Sequence, residues 1–217
     1  MNYKYNILHD TGKPLCFVGH STLNKSIYSE LSRTREAQLI NIEELEDKDQ
    51  SWYDQHQFIV STSDVAFKET VVQQLNNYNV NFFSIVHNSN VFFDSTIIGR
   101  GTFISAHNAT MPTDHVVIGN HVVIGTHCLF GHECVIEDFT HVSSYGYLGC
   151  CHIHQGSIIG LRTSIIASVQ HIGGIIHIPE YSNIMVDSRI TESLAESGTY
   201  AGNRRVNNFT SREVRIL

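Results

Sequence analysis

The chain has 217 residues and a net charge of −7, with 14 lysines and arginines against 21 aspartates and glutamates. That balance leaves no basic footprint for general binding to nucleic acid or an acidic membrane, and no apolar run is long enough to span a bilayer. With 41% hydrophobic and 16% charged residues, the composition is that of a soluble globular protein with ample core for one large domain or two small ones.

The opening "MNYKYNILHDTGK" lacks the cationic and long apolar regions of a signal peptide. Five cysteines, an odd number without a paired CxxC…CxxC arrangement, indicate neither a disulfide framework nor a zinc ribbon. A cytoplasmic location is the expectation. Arg189, Arg204, Arg205, Arg212 and Arg215 crowd the last stretch and read as a solvated tail.

Residues 1–84 alternate between strand and helix. "PLCFVGH" is a short apolar run ending in glycine and a turn, "NKSIYSELSRTR" has helical spacing, "AQLINI" and "FIVSTS" are further buried strands, and "VAFKETVVQQLNNYN" is a second helix. Strand, turn, helix and strand predict a small α/β unit with a parallel sheet.

From residue 85 a sixfold period takes over, to about residue 194. Large apolar residues stand at Val86, Phe92, Ile98 and Ile104, slip by two around Pro112, and resume at Ile118, Ile124, Phe130, Ile136, Val142 and Leu148. They continue at Ile153, Ile159, Ile165, Ile172, Ile178, Ile184 and Ile190, mostly with a small residue two positions earlier. Strands alternate by two and helices by about 3.6, so a period of six predicts a parallel β-helix of three-sided coils. Cys128, Cys134 and Cys151 fall in the small inward slot, where a free cysteine acts as a small hydrophobe. Residues 195–217 read as a C-terminal tail.

An α/β unit followed by hexads containing "GHECVIEDFTHVSSYG" resembles the bacterial hexapeptide-repeat sugar acetyltransferases of the sialic acid O-acetyltransferase type. The chain looks closest to the nucleotide-amino-sugar N-acetyltransferases. The likeness runs from "CFVGH" through "FIVSTSD" to "SGTYAGNRRV". It implies a Rossmann-like nucleotide-sugar domain, a left-handed β-helix, acetyl-CoA as donor, a nucleotide-linked amino sugar as acceptor, and a homotrimer with the donor between neighbouring coils. No metal is expected. By matched position it implies His132 as general base, Glu133 as its supporting carboxylate, and His141 on the acetyl-CoA side. Gly19, His20, Ser21 and Asn41 would meet the nucleotide.

The chemistry fits these roles. An amine attacking a thioester must lose a proton, and histidine accepts one near pH 7. Held together, donor and acceptor need no acyl-enzyme. The tetrahedral oxyanion needs a backbone N–H; one coil beyond His132 lies Cys150, so Gly149 and Cys150 are the expected donors.

Departures from the family pattern keep a changed acceptor or a non-catalytic binding protein in view. Thr22 and Asn24 replace turn glycines, Asn41 stands where an acidic residue is common, and Gly125 where asparagine is. Tyr145 and Tyr147 occupy small positions, and Asn203-Arg204-Arg205 stands at the closing motif. O-acetyl transfer would use the same base. His127 and His132, five apart, also resemble the zinc spacing of γ-class carbonic anhydrases, with His107, His115 or His121 as a third ligand; the α/β unit and the His-Glu-Cys core oppose that reading. His152, His154, His171 and His177 have no motif around them and read as solvated.

Overall fold

The computed structural model describes residues 4–111, 115–166 and 174–213. Pro112, His171, Ile172 and Arg215 lie outside them. Strand β1 (Tyr5–Leu8) is followed by β2 (Leu15–Val18), α1 (Thr22–Leu31), β3 (Ala37–Ile40), α2 (Gln50–Gln55), β4 (Gln57–Ile59), α3 (Val65–Asn76), β5 (Asn81–Phe82) and β6 (Ser84–His87). The order β3-β2-β4-β5 forms a parallel sheet, as the alternation of strand and helix predicts. Ser21, Asp49 and Asp64 cap the three helices by accepting a backbone N–H with their side-chain oxygens. Such caps satisfy donors that the first helical turn leaves unpaired.

Strand β2 is buried on both faces, as a covered parallel sheet requires. Cys16 and Val18 face a core containing Tyr53, Phe58 and Leu75, whereas Leu15 and Phe17 face one containing Ile27 and Leu31 of α1. The second core continues into Ile85, Phe103 and Val123. These belong to the coils, so α1 and the sheet dock directly on the β-helix.

The coils stack as three parallel sheets. The first face carries β6 and the rows at Phe103–Ile104, Val123–Ile124, His141–Val142, Ile158–Ile159 and Asn183–Ile184. The second carries Ala109–Thr110, Leu129–Gly131, Tyr147–Gly149, Ser164–Ile165 and Arg189–Ile190; the third, Ile97–Ile98, Val117–Ile118, Val135–Ile136, Cys151–Ile153 and Ile176–Ile178. The hexad residues form the inner column, from Val86 through Ile104, Ile124 and Val142 to Ile159 and Ile184. Cys128, Cys134 and Cys151 are buried in it, the last two with Sγ atoms 3.6 Å apart.

One slot of the period is filled by a residue the hydrophobic pattern passes over. Thr110 stands opposite Phe130 in the second face and is buried. Its hydroxyl accepts from the Phe93 N–H at 3.1 Å and meets Thr96 Oγ1 at 3.2 Å, so a polar side chain sits inside without an unmet bond.

Turning the corners requires left-handed backbone. His107, His127, Tyr145, Arg162 and Asp187 (φ 57° to 63°) make the turn from first to second face. His121, Phe139 and Tyr181 (φ 54° to 62°) share the third-to-first turn with Gly101 and Gly156. Glu133 and Cys150, both at φ 48°, lie between second and third. For a residue with a Cβ this conformation costs roughly 1–2 kcal/mol. The rings recover part of that by stacking up the corner: His127 lies parallel to Tyr145 with centroids 5.0 Å apart, and His107 is 5.0 Å from His127.

Both ends of the first face are extended by further strands. Strand β1 pairs antiparallel with β6, while Thr199–Ala201 adds to the first face and pairs antiparallel with Arg204–Asn207. The basic C-terminal stretch is therefore partly folded: Arg205 pairs with Glu196, and Arg212 pairs with Glu69 at 2.9 Å while lying over the Tyr181 ring. Among the described residues no helix is long and apolar enough to cross a membrane.

Where glycine follows the inner aliphatic residue on the first and third faces, at Gly99, Gly119, Gly125 and Gly160, neighbouring coils come too close for a side chain. A Cβ on Gly160 would lie 2.6 Å from both the Ile184 carbonyl oxygen and the Val186 nitrogen. Both are backbone atoms, so Gly160→Ala is expected to destabilise the fold by about 1–3 kcal/mol, measurable by urea denaturation.

Candidate active site

Two histidines of the motif are carried by different parts of the prism. His132 follows the second-face strand Leu129–Gly131 and is exposed, with Glu133 next to it on the left-handed corner. His141 lies on the first face, where Val142 points inward. Because the second-to-third corner stands opposite the first face, one chain holds these side chains on opposite sides of its coil. Sequence spacing alone does not reveal that separation.

The backbone around His132 is well determined by its neighbours. The Cys150 N–H donates to the His132 carbonyl oxygen at 2.7 Å, tying the corner to the coil above it. That amide is thus committed within the stack, while Gly149, the other expected donor, stands opposite Gly131 at the end of the strand Tyr147–Gly149. Tyr147 lies across this segment: a Cβ on Gly149 would meet its ring at 3.3 Å, and one on Gly131 would meet its hydroxyl at 3.5 Å.

His141 owes its setting to the docking of the α/β unit. The outward residues up the first face run Ile85, Phe103, Val123, then His141. The first three are buried under α1 and the sheet, and His141 is the first polar one, at the rim. Its Nδ1 is enclosed without a hydrogen-bond partner among the described residues, and Nε2 lies 3.3 Å from Ser143 Oγ. Burial, helped by the Lys68 charge, holds its pKa at about 3, so His141 is neutral at pH 7.

Beneath it Lys68 is fully buried and donates to the His121 carbonyl at 2.8 Å. Desolvation pulls its pKa down to about 7, with Glu69 and Asp64 opposing. His121 stacks on Phe139 at 5.1 Å, and burial together with Lys68 lowers its pKa to about 3. It is an enclosed neutral ring. His127 and His132 sit at opposite ends of the second face, so their five-residue spacing does not chelate one ion within a chain.

A continuous groove leads from the sheet to His141. Its first part is lined by Gly19, His20, Ser21, Asn24, Thr62, Asp64 and Phe67. Its middle, a cavity of about 450 Å³, shares His20, Ser21 and Thr62 and adds Ser61, Ser63, Val123 and His141. The far part runs along Gly125, Thr126, Ser143 and Ser144. Neither lysine nor arginine is among these lining residues. Asn41 is not among them either; it is exposed, and its N–H donates to Glu44 Oε1 at 2.8 Å. The serine and threonine run after β4 was not singled out in the sequence, although the C-terminal ends of parallel strands are where open α/β sheets bind ligands.

The altered turn after β2 has a local explanation. Asn24 is buried, and its Nδ2 donates to the carbonyls of Val18 and Gly19, both at 2.8 Å. Ser21 Oγ accepts from the Asn24 N–H and donates to the Ser61 carbonyl, which joins α1 to the end of β4. Gly19, at φ 89°, keeps the one position where a side chain would be strained.

No family model matches the chain, and no curated protein matches it in sequence. Solved structures do match in shape. WeeI from Acinetobacter baumannii AYE superposes with a TM-score of 0.73 at 14% identity, over 90% of this chain and 99% of that one. A variant of GDP-perosamine N-acetyltransferase from Caulobacter crescentus, in complex with CoA and GDP-perosamine, gives 0.69 at 12% identity over 86% and 92%. The acetyltransferase domain of PglB from Neisseria gonorrhoeae FA1090 gives 0.63 at 15% identity over 90% and 99%. The chain therefore has the fold of these proteins, an α/β unit on a parallel β-helix.

The two histidines and the lysine make stability depend on pH in one direction. His121 and His141 bind fewer protons folded than unfolded between about pH 3 and 6.5, so stability rises with pH across that window. Lys68 has the same sign between about 7 and its ordinary 10.5. Thermal melts should show an acid-side decline that His141→Asn reduces, and a rise above pH 7 that Lys68→Met removes.

Proposed function

We propose that the protein is an acetyl-CoA-dependent N-acetyltransferase acting on a nucleotide-linked amino sugar, in glycan synthesis. The observation that carries this reading is the groove joining the N-terminus of α1 to a neutral His141, whose Nδ1 has no hydrogen-bond partner among the described residues, combined with a His132–Glu133 corner on the far side of the same coil. That a protein of this fold was captured with CoA and GDP-perosamine supports it.

On this reading the α/β unit, residues 1–84, holds the nucleotide and the coils of residues 85–194 hold the donor. The Asn24 N–H is taken by Ser21, and the Lys25 N–H by the Ser21 carbonyl. The remaining first-turn amides of α1 face the groove beside His20, a place where helix ends attract phosphate. With neither lysine nor arginine among the described residues that line the groove, backbone N–H groups and His20 would provide the grip. The Asp64 carboxylate keeps the phosphates on the α1 side.

The reaction joins the sugar amine to the thioester carbonyl carbon. His132 takes the proton from the attacking nitrogen, with Glu133 favouring the imidazolium. The tetrahedral oxyanion is met by the Gly149 N–H. The C–S bond then breaks, and CoA leaves with the proton from His132. His141, neutral, offers a hydrogen bond to the donor without adding a positive charge beside the amine.

His132 and His141 meet only if the corner of one chain lies against the first face of another. This is why a homotrimer is part of the reading: each closed interface then builds one site. His132→Ala is expected to lower turnover at saturating acetyl-CoA by about 100-fold or more, measured as CoA release with a panel of nucleotide-linked 4-amino and 4-hydroxy sugars. Near-normal turnover would overturn the mechanism, and preference for the hydroxy sugars would convert it to O-acetyl transfer. Mixed oligomers of His132→Ala and His141→Ala chains should recover about a quarter of native activity if trimers assemble at random and sites form between chains. No recovery would place both histidines in one chain's site.

A further inference from the structure

The third face carries a second group of chemistry-bearing side chains, remote in the chain from the groove on the first. His152 pairs in register with His177 on neighbouring strands, and His154, two residues on, projects from the same face as His152. One ring nitrogen from each of the three lies within 4.8 Å of the others. His154 Nε2 and His177 Nδ1 are 3.3 Å apart. Nitrogens bound to one tetrahedral zinc ion at the usual bond lengths lie about 3.3 Å from each other, so one edge of such a site already has its length.

A carboxylate holds two of the rings. Glu137 Oε1 meets His152 Nε2 at 2.6 Å and His154 Nδ1 at 3.0 Å, while its Oε2 accepts the Gln155 N–H at 2.9 Å. A histidine that gives one ring N–H to a carboxylate presents its other nitrogen as an oriented, more basic ligand. His154 has that arrangement, with Nδ1 on Glu137 and Nε2 facing His177. The rings are partly exposed, so an ion can enter and water can complete the shell.

We propose that His152, His154 and His177, supported by Glu137, form a binding site for a divalent transition-metal ion of the zinc, nickel or copper kind. Imidazole donors favour these ions over magnesium or calcium, which take oxygen. The three ligands come from one chain, with nitrogens already within 4.8 Å of one another. It is separate from the groove, so zinc found in the purified protein would reflect this cluster and would not by itself signal hydratase chemistry.

The test is calorimetric titration of the full chain with Zn²⁺ alone, alongside His154→Gln, His177→Gln and the double variant. The expected result is about one ion per chain at pH 7.5, at least about tenfold weaker in each single variant, with Zn²⁺ raising the melting temperature of the native chain only. Co²⁺ should give the intense visible bands of a four-coordinate site, absent from the double variant. Unchanged melting of the metal-free variants would confirm that they fold. Equal Zn²⁺ uptake by native and double-variant protein, or no uptake by either, would overturn the proposal.

Discussion

The structure depends on the stacking of one coil on the next. Each inner aliphatic side chain rests on its equivalents above and below, so Ile104, Ile124 and Val142 bury one another in a continuous column. The hydrophobic gain is repeated per coil, and the backbone hydrogen bonds of each row come from the neighbouring rows. Every outward feature is positioned by that repetition. A side chain on a coil is held in two directions by the ladder and in the third by its inward neighbour, which is a rigid mount for a catalytic or ligating group.

The same regularity creates a cost at the corners, where ten non-glycine residues of the described coils have positive φ. The turns of the β-helix pair these residues into columns of their own, and the aromatic and imidazole rings at His107, His127 and Tyr145 offset some of the strain by stacking. Several of the fourteen histidines are accounted for in this way. Glu133 and Cys150 are the exception in kind, since their corner carries the His132 backbone, and the Cys150 N–H locks it. Strain there coincides with the position proposed for chemistry, as is common at functional sites.

Docking of the α/β unit is the second determinant. Ile85, Phe103 and Val123 point outward from the coil, yet they are core residues because α1 and the sheet cover them. The next residue up the face, His141, inherits a dry, half-closed environment and loses its charge. Lys68, buried at the same junction, adds a positive neighbour that reinforces the effect. The electrostatics of the groove thus come from the meeting of two units, neither of which would produce them alone.

Periodicity by itself determined the sheet of the α/β unit, the three-sided coil, the inner column and the burial of Cys128, Cys134 and Cys151, because each follows from which residues recur at a fixed spacing. It passed over Thr110, whose inward place depends on hydrogen bonds made to Thr96 and the Phe93 backbone rather than on hydrophobicity. The family resemblance placed Asn41 with the nucleotide contacts, although Asn41 is not among the residues lining the groove. The opposition of His132 and His141 across the prism, the neutral state of His141, and the gathering of His152, His154 and His177 around Glu137 were decided only in three dimensions. Distance between side chains on different faces, and the dielectric around each, depend on how coils stack and what docks on them, and no local spacing encodes either.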